Sequence, residues 1–260
     1  RLRSLSNIRP KDMMQLQNDN YNYRALESLP VMLDSLDTTN FTNSQRIAFD
    51  ALKIWDYFND AELKAPSIYQ AWWDTFYVLM WDEFDDQKVD LIKPNVFNTI
   101  KILNDYPRNK YFDRKSTSEV ETAKELINES FVLAIDSLDA WKAKMGKEYV
   151  WYEYKNTSIY HLLDLKPFSV ETVKIGGGNN IVNAASAKHG PSWRMIVELG
   201  ENNVRGWGVY PGSQTGNPGN PSYGHLIDSW AKGDYFPLVF LQSIDEAHNS
   251  LIFTQTIFSK

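Results

Sequence analysis

The residues best placed to do chemistry together lie in the run His189-Gly-Pro-Ser-Trp-Arg194, which brings an imidazole, a hydroxyl and a guanidinium close in sequence. A histidine next to a serine can act as base to a nucleophile, and an arginine can hold a developing anion. The spacing argues against a direct relay. Successive residues of an extended segment point to opposite sides, and the stiff Gly190-Pro191 pair holds His189 apart from Ser192. A turn that leads into a strand carrying a buried Arg194 is the favoured reading.

Other candidate groups are weaker. His161 and Asp164 are spaced as two metal ligands could be, but the remaining histidines are scattered and form no ligand pair. Gly176-Gly-Gly178 lacks the strand-to-helix setting of a phosphate loop, because a strand-like stretch follows it. It reads as a turn. The acidic run Trp81-Asp-Glu-Phe-Asp-Asp86 lacks the alternating ligands and central glycine of a calcium loop. Gly219-Asn-Pro-Ser-Tyr-Gly224 is one residue too long for a nucleophile elbow.

The chain has 260 residues and no cysteine, which removes thiolate ligands, cysteine nucleophiles and disulfides. Its 27 basic and 33 acidic residues give a net charge of -6, and no basic stripe is available to neutralise a nucleic-acid backbone. No apolar run is long enough to span a bilayer, so neither a nucleic acid nor a membrane is an expected partner. The opening Arg-Leu-Arg-Ser lacks the pattern of a signal peptide. Localisation is not readable from the residues.

The elements that must position these groups fall into two textures. Residues 1–160 read as helical: Pro10 to Leu36 with a kink or break at Pro30, a helix capped by Asn43 or Ser44, and Ser67 to Glu83 opened by Pro66. Asn95 to Leu103 reads as a shorter helix. A long one starts at Ser116 or Thr117, has Glu119 and Glu121 in its first turn, and closes at Gly146. Residues 161–260 read as mostly antiparallel β. Strands are expected at Val170–Ile175, Asn180–Ala185, Trp193–Leu199, Val204–Val209, Phe236–Phe240 and Leu251–Phe258, with one helix near 223–231. The fold class is therefore α+β. Trp72, Trp73, Phe76, Tyr77 and Trp81 are expected in the core.

His189-Gly-Pro-Ser-Trp-Arg-Met-Ile-Val-Glu-Leu199 resembles the terminal signature of the penicillin acylase (penicillin amidase) family, roughly H-G-P-S-x-R-M-x-V-D-L. The resemblance continues through Tyr210-Pro-Gly-Ser-Gln-Thr-Gly-Asn-Pro-Gly-Asn-Pro-Ser-Tyr223 and then Trp230, Gly233, Tyr235 and Pro237. His189, Gly190, Pro191, Ser192, Arg194, Pro211, Gly212, Gln214, Gly216, Pro218 and Pro221 carry it as a structural motif. Earlier segments follow the family in order, including Gln17-Asn-Asp19, Trp55-Asp56, Tyr111-Phe-Asp113, Trp151 and His161. Gly224-His225 replaces the family's Asp pair, and Ser213-Gln-Thr its Gly-Gln-Ser.

The resemblance implies an N-terminal-nucleophile hydrolase acting on a small N-acyl substrate: a β-lactam side chain, an acyl-homoserine lactone or similar. It implies self-processing, a Ser nucleophile at the start of a large subunit, and a periplasmic or secreted location. By the family's order the nucleophile, the oxyanion Asn and most calcium ligands lie upstream, so no catalytic residue, metal or cofactor is expected in this chain, and Arg1 is assigned no role. The chain is then the C-terminal part of the large subunit, inactive alone. Its partners are the small subunit and the rest of the large one, and both of its regions belong to one parent domain. Two alternatives stay open: an aromatic-rich carbohydrate-binding module, which needs exposed Trp side chains, and a family scaffold without catalysis.

Overall fold

The computed structural model describes residues 2–85, 91–200, 204–213 and 215–240. Helix α1 (Pro10–Gln17) opens with proline, whose missing N–H has no intrahelical partner to lose at that position. Helix α2 (Tyr23–Asp34) begins where Asn22 Oδ1 accepts the Ala25 N–H. The break expected at Pro30 lies instead at residues 18–22. Pro30 sits inside α2 on its exposed face, where water can take the carbonyl that loses its partner.

Helix α3 (Asn43–Lys53) is capped by Thr42, one residue before the expected cap, in a reciprocal box with Gln45. Helix α4 (Ala65–Met80) is the centre of the helical region and is buried on nearly every side. It packs along α6 (Ala123–Met145) and also meets α3 and the short α7 (Trp151–Lys155). Helix α5 (Val96–Asp105), expected over Asn95 to Leu103, lies against α2, and Asn95 stands just outside it as the cap.

Trp72, Trp73, Phe76 and Trp81 are buried and Tyr77 packs against them, as expected. Burying a large apolar side chain contributes roughly 2–3 kcal/mol, provided that its polar atoms find partners. The Trp72 indole N–H reaches Ser130 Oγ at 3.1 Å and the Ile127 carbonyl at 3.2 Å. The Trp81 N–H reaches Thr99 Oγ1 at 3.1 Å.

The long helix α6 starts later than the acidic first turn suggested. Glu119 and Glu121 precede it. Thr117 Oγ1 donates to Glu121 at 2.6 Å, and the Arg114 N–H donates to the same carboxylate at 3.0 Å. Thr122 takes the capping role with Glu125. Gly146, at φ +64°, closes the helix in the left-handed region, where a Cβ would be strained.

Beyond α7 the chain forms one antiparallel sheet in the order β1-β2-β3, with β1 (Arg194–Glu198), β2 (Arg205–Val209) and β3 (Phe236–Leu238). Arg194 pairs with Val209 and Glu198 with Arg205, while Trp207 pairs with Pro237. Helix α8 (Ile227–Lys232) fills the connection from β2 to β3, and α1 packs on β1. A helical first half with a small antiparallel sheet makes the fold α+β.

Two expected strands are absent. Val170–Ile175 contributes only a single bridge, between Val170 and Ile159, and Asn180–Ala185 is irregular. Thr172 and Asn180 both adopt positive φ, which a ladder does not tolerate. Backbone groups of these segments bond to Thr157, Lys155 and Asp19 instead of to a neighbouring strand. The proposed strand Leu251–Phe258 lies outside the described residues, as do Gln214 and the last of the acidic residues 81–86.

Candidate functional site

The first signature run ends in the side chain that anchors the site. Arg194 is the first residue of β1 and its accessible surface is only 3%. Its Nη1 donates to the Trp230 carbonyl at 2.6 Å and its Nη2 to Asn183 Oδ1 at 2.7 Å. The guanidinium carbon lies 5.2 Å from the centre of the Trp230 ring. No carboxylate pairs with it among the described residues, and burial pushes the guanidinium pKa down.

Asn183 passes the connection onward. Its Nδ2 donates to Asn20 Oδ1 at 2.8 Å, and Asn20 Nδ2 donates to Asp60 Oδ1 at 2.8 Å. Its backbone N–H bonds the Asp19 carbonyl, and its carbonyl accepts the Gly178 N–H. Beside it, Asn22 Nδ2 donates to Asn59 Oδ1 at 3.2 Å, and the Asn59 carbonyl accepts the Gly177 N–H at 2.9 Å. The chain of bonds runs from the sheet, through the 176–185 loop, to the joint between α1 and α2.

Lys155 supplies a second cation. Its Nζ donates to the carbonyls of Ile175, Gly176 and Ala185 at 3.0, 2.7 and 2.8 Å. Burial pushes its pKa down to about 7, against the pull of those three oxygens on the charged form. Trp151 Nε1 holds the Gly177 carbonyl at 2.7 Å. Gly177 is at φ +73°, and a Cβ there would collide with the Asn183 carbonyl, so only glycine fits. The glycine run is thus a turn whose polar groups are committed within the protein.

The other signature residues build the frame. The His189 carbonyl accepts from the Ser186 N–H and hydroxyl at 2.7 and 3.0 Å. Gly190 lies under the Trp230 ring, and the Pro191 carbonyl accepts the Trp230 indole N–H at 2.9 Å. The His189 ring and the Ser192 hydroxyl have no hydrogen-bond partner among the described residues, so His189, Ser192 and Arg194 form no relay. Pro211, Gly212, Gly216, Pro218 and Pro221 follow in a train of turns leading to α8. The turns are held by Asn217 and Asn220 side chains accepting from Gly219 and Ser222 N–H groups, and by the Leu226 N–H on the Gly212 carbonyl.

The His161 Nδ1 accepts the Leu163 N–H at 3.2 Å, and its ring lies against Phe168. Among the described residues no group of three or more His, Asp or Glu could hold a metal ion. No helix among them is long and apolar enough to cross a membrane. Asn20, Asn59, Asn183 and Lys155 were not singled out in the sequence. Asn183 falls within a stretch that patterns as a strand, and no local signal marks Lys155.

Chemically, this is a fastening: the buried Arg194, the partly buried Lys155, an asparagine chain and a glycine turn joining an α-helical region to an antiparallel sheet. The penicillin amidase family model matches residues 1–245, and the chain belongs to that family. The family gives the chain an amidohydrolase-type assignment. Comparison with curated protein sequences returned no match.

Proposed function

We propose that this chain is one part of an enzyme that hydrolyses a linear amide, such as the N-acyl side chain of a β-lactam or an acyl-homoserine lactone. The family match over residues 1–245 carries the assignment. The attacking group is the N-terminal Ser of a self-processed large subunit, upstream of residue 1, with its own α-amine as base. Backbone and Asn donors, also upstream, stabilise the oxyanion. The present residues contribute the scaffold, with the signature residues 189–194 and 211–221 as its frame, and are inactive alone. The fastening around Arg194 supports this division, because both Nη atoms of Arg194 and the asparagine amides are engaged inside the protein.

The partners in this reading are the small subunit and the preceding part of the large subunit, and the assembly is periplasmic or secreted. Any calcium of the assembly is held by residues mostly upstream, and no step here runs through it. The carbohydrate-binding alternative is disfavoured, since six of the nine Trp side chains are buried and a sugar platform needs exposed rings.

Intact-mass analysis with N-terminal sequencing of the protein purified from its natural source tests the proposal. The expected result is two processed chains, one beginning with Ser, that release free amine from an N-acyl β-lactam or a long-chain acyl-homoserine lactone. Processed chains that leave both amide classes untouched would refute the substrate assignment. A single unprocessed chain would refute the mechanism.

A further inference from the structure

A cleft of about 660 Å³ opens between the start of α1, strand β2 and the turn from α8 into β3. Pro10, Met14, Trp207 and Tyr235 give it an apolar and aromatic lining. Arg9, Lys11, Arg205 and Lys232 also line it, against a single carboxylate, Asp234. In a chain of net charge -6 this is a local reversal of sign.

Arg205 is paired with Glu198 at 2.5 Å and lies 5.9 Å from the Trp207 ring centre. Arg9, Lys11 and Lys232 form no salt bridge among the described residues. The floor is fixed: the Tyr235 hydroxyl donates to Gln17 Oε1 at 2.6 Å and accepts from Asn18 Nδ2 at 3.4 Å. Arg194, buried without a carboxylate, interacts electrostatically with Tyr235 and adds to the positive potential.

We infer that this cleft binds a small amphipathic carboxylate, its apolar body against Trp207 and Met14 and its charge between Lys11, Lys232 and Arg9. The volume falls within the usual range for small-molecule sites. A bare phosphate would leave the aromatic lining unused. The carboxylates of Asp234 and Glu198 limit the excess positive charge, which favours a ligand of single charge. The inference does not depend on amide hydrolysis, because every residue it needs is in this chain.

Isothermal titration of the assembled protein with 2-naphthoate, and with 2-naphthamide as its neutral isostere, tests it. Naphthoate is expected to bind at least about tenfold more tightly than the amide, and less tightly as salt is raised. The surface double variant Lys11→Gln/Lys232→Gln is expected to lose about tenfold for naphthoate and nothing for the amide. Trp207→Leu weakens both ligands. Equal affinity for acid and amide, no saturable heat from a normally folded chain, or naphthoate binding unmoved in the double variant would each overturn the inference.

Discussion

Replacing Arg194 by methionine removes the cation at the centre of the fastening while keeping most of its volume. Two terms of opposite sign decide the outcome. The loss comprises the bonds to Trp230 O and Asn183 Oδ1 and the stacking on Trp230. Hydrogen bonds to charged groups contribute about 1.5–3 kcal/mol each, and a desolvated cation–π contact about 1–2 kcal/mol. The gain is relief from burying a cation with no carboxylate partner, a cost of several kcal/mol. The Asn183 amide oxygen stays buried after the substitution and lacks a donor, while the Trp230 carbonyl keeps the Gly233 N–H, so the loss prevails by about 2 kcal/mol. Urea unfolding followed by tryptophan fluorescence and far-UV circular dichroism measures it. Asn183→Ala closes a double-mutant cycle, with an expected coupling of about 1–2 kcal/mol. A methionine variant within about 0.5 kcal/mol of the parent, together with an additive cycle, would show that Arg194 fastens nothing.

Gly177→Ala forces both a positive φ and a collision with the Asn183 carbonyl; a loss of about 3 kcal/mol or more in the same unfolding assay is expected. Gly216→Ala, with nothing within 4 Å of the added Cβ, stays within about 0.5 kcal/mol of the parent. Glu148 is held down to about 2 by hydrogen bonds from Lys142 and then Lys64. Its stabilising effect is therefore full above its ordinary pKa of 4.5 and fades as pH falls toward 2. Glu148→Gln should flatten that part of the thermal-stability profile, and the difference should shrink in high salt. For Lys155, burial sets the folded pKa near 7 while the unfolded lysine keeps its proton to 10.5. The unfolded state then binds more protons between those values, so stability rises with pH across the window. Melting curves of the parent and Lys155→Met from pH 7 to 10 should diverge with that slope; parallel curves would mean that the three carbonyls keep Lys155 charged.

What the sequence made legible follows the range of the interactions. The α+β class and the buried aromatic helix could be read because helical spacing and chain-local caps repeat within a few residues. Errors arose where two local signals competed. Ser116 to Glu121 and Thr122 to Glu125 both look like helix starts, and only the second has its carboxylate free for capping, because Glu121 is taken by Arg114 and Thr117. Pro30 read as a break because sequence does not reveal that its face of α2 is exposed to water.

The fastening was harder to see for a different reason. Its bonds join Asn20 to Asn183, Lys155 to Ala185 and Arg194 to Trp230, pairs with no spacing rule to mark them. Val170–Ile175 and Asn180–Ala185 carry alternating apolar residues and so pattern as strands. The folded chain directs their polar backbone to Lys155 and to the carbonyls of Thr157 and Asp19, and that alternative becomes available only once α7 and the 18–22 joint are in place. The signature residues were found by resemblance, and their physical reason emerges from the same geometry. Gly190 and Pro191 seat the Trp230 ring, and Trp230 in turn offers its carbonyl and its face to Arg194. A serine and a histidine in that run draw the eye as catalytic groups, yet the residue the structure commits most fully is the arginine that ends it.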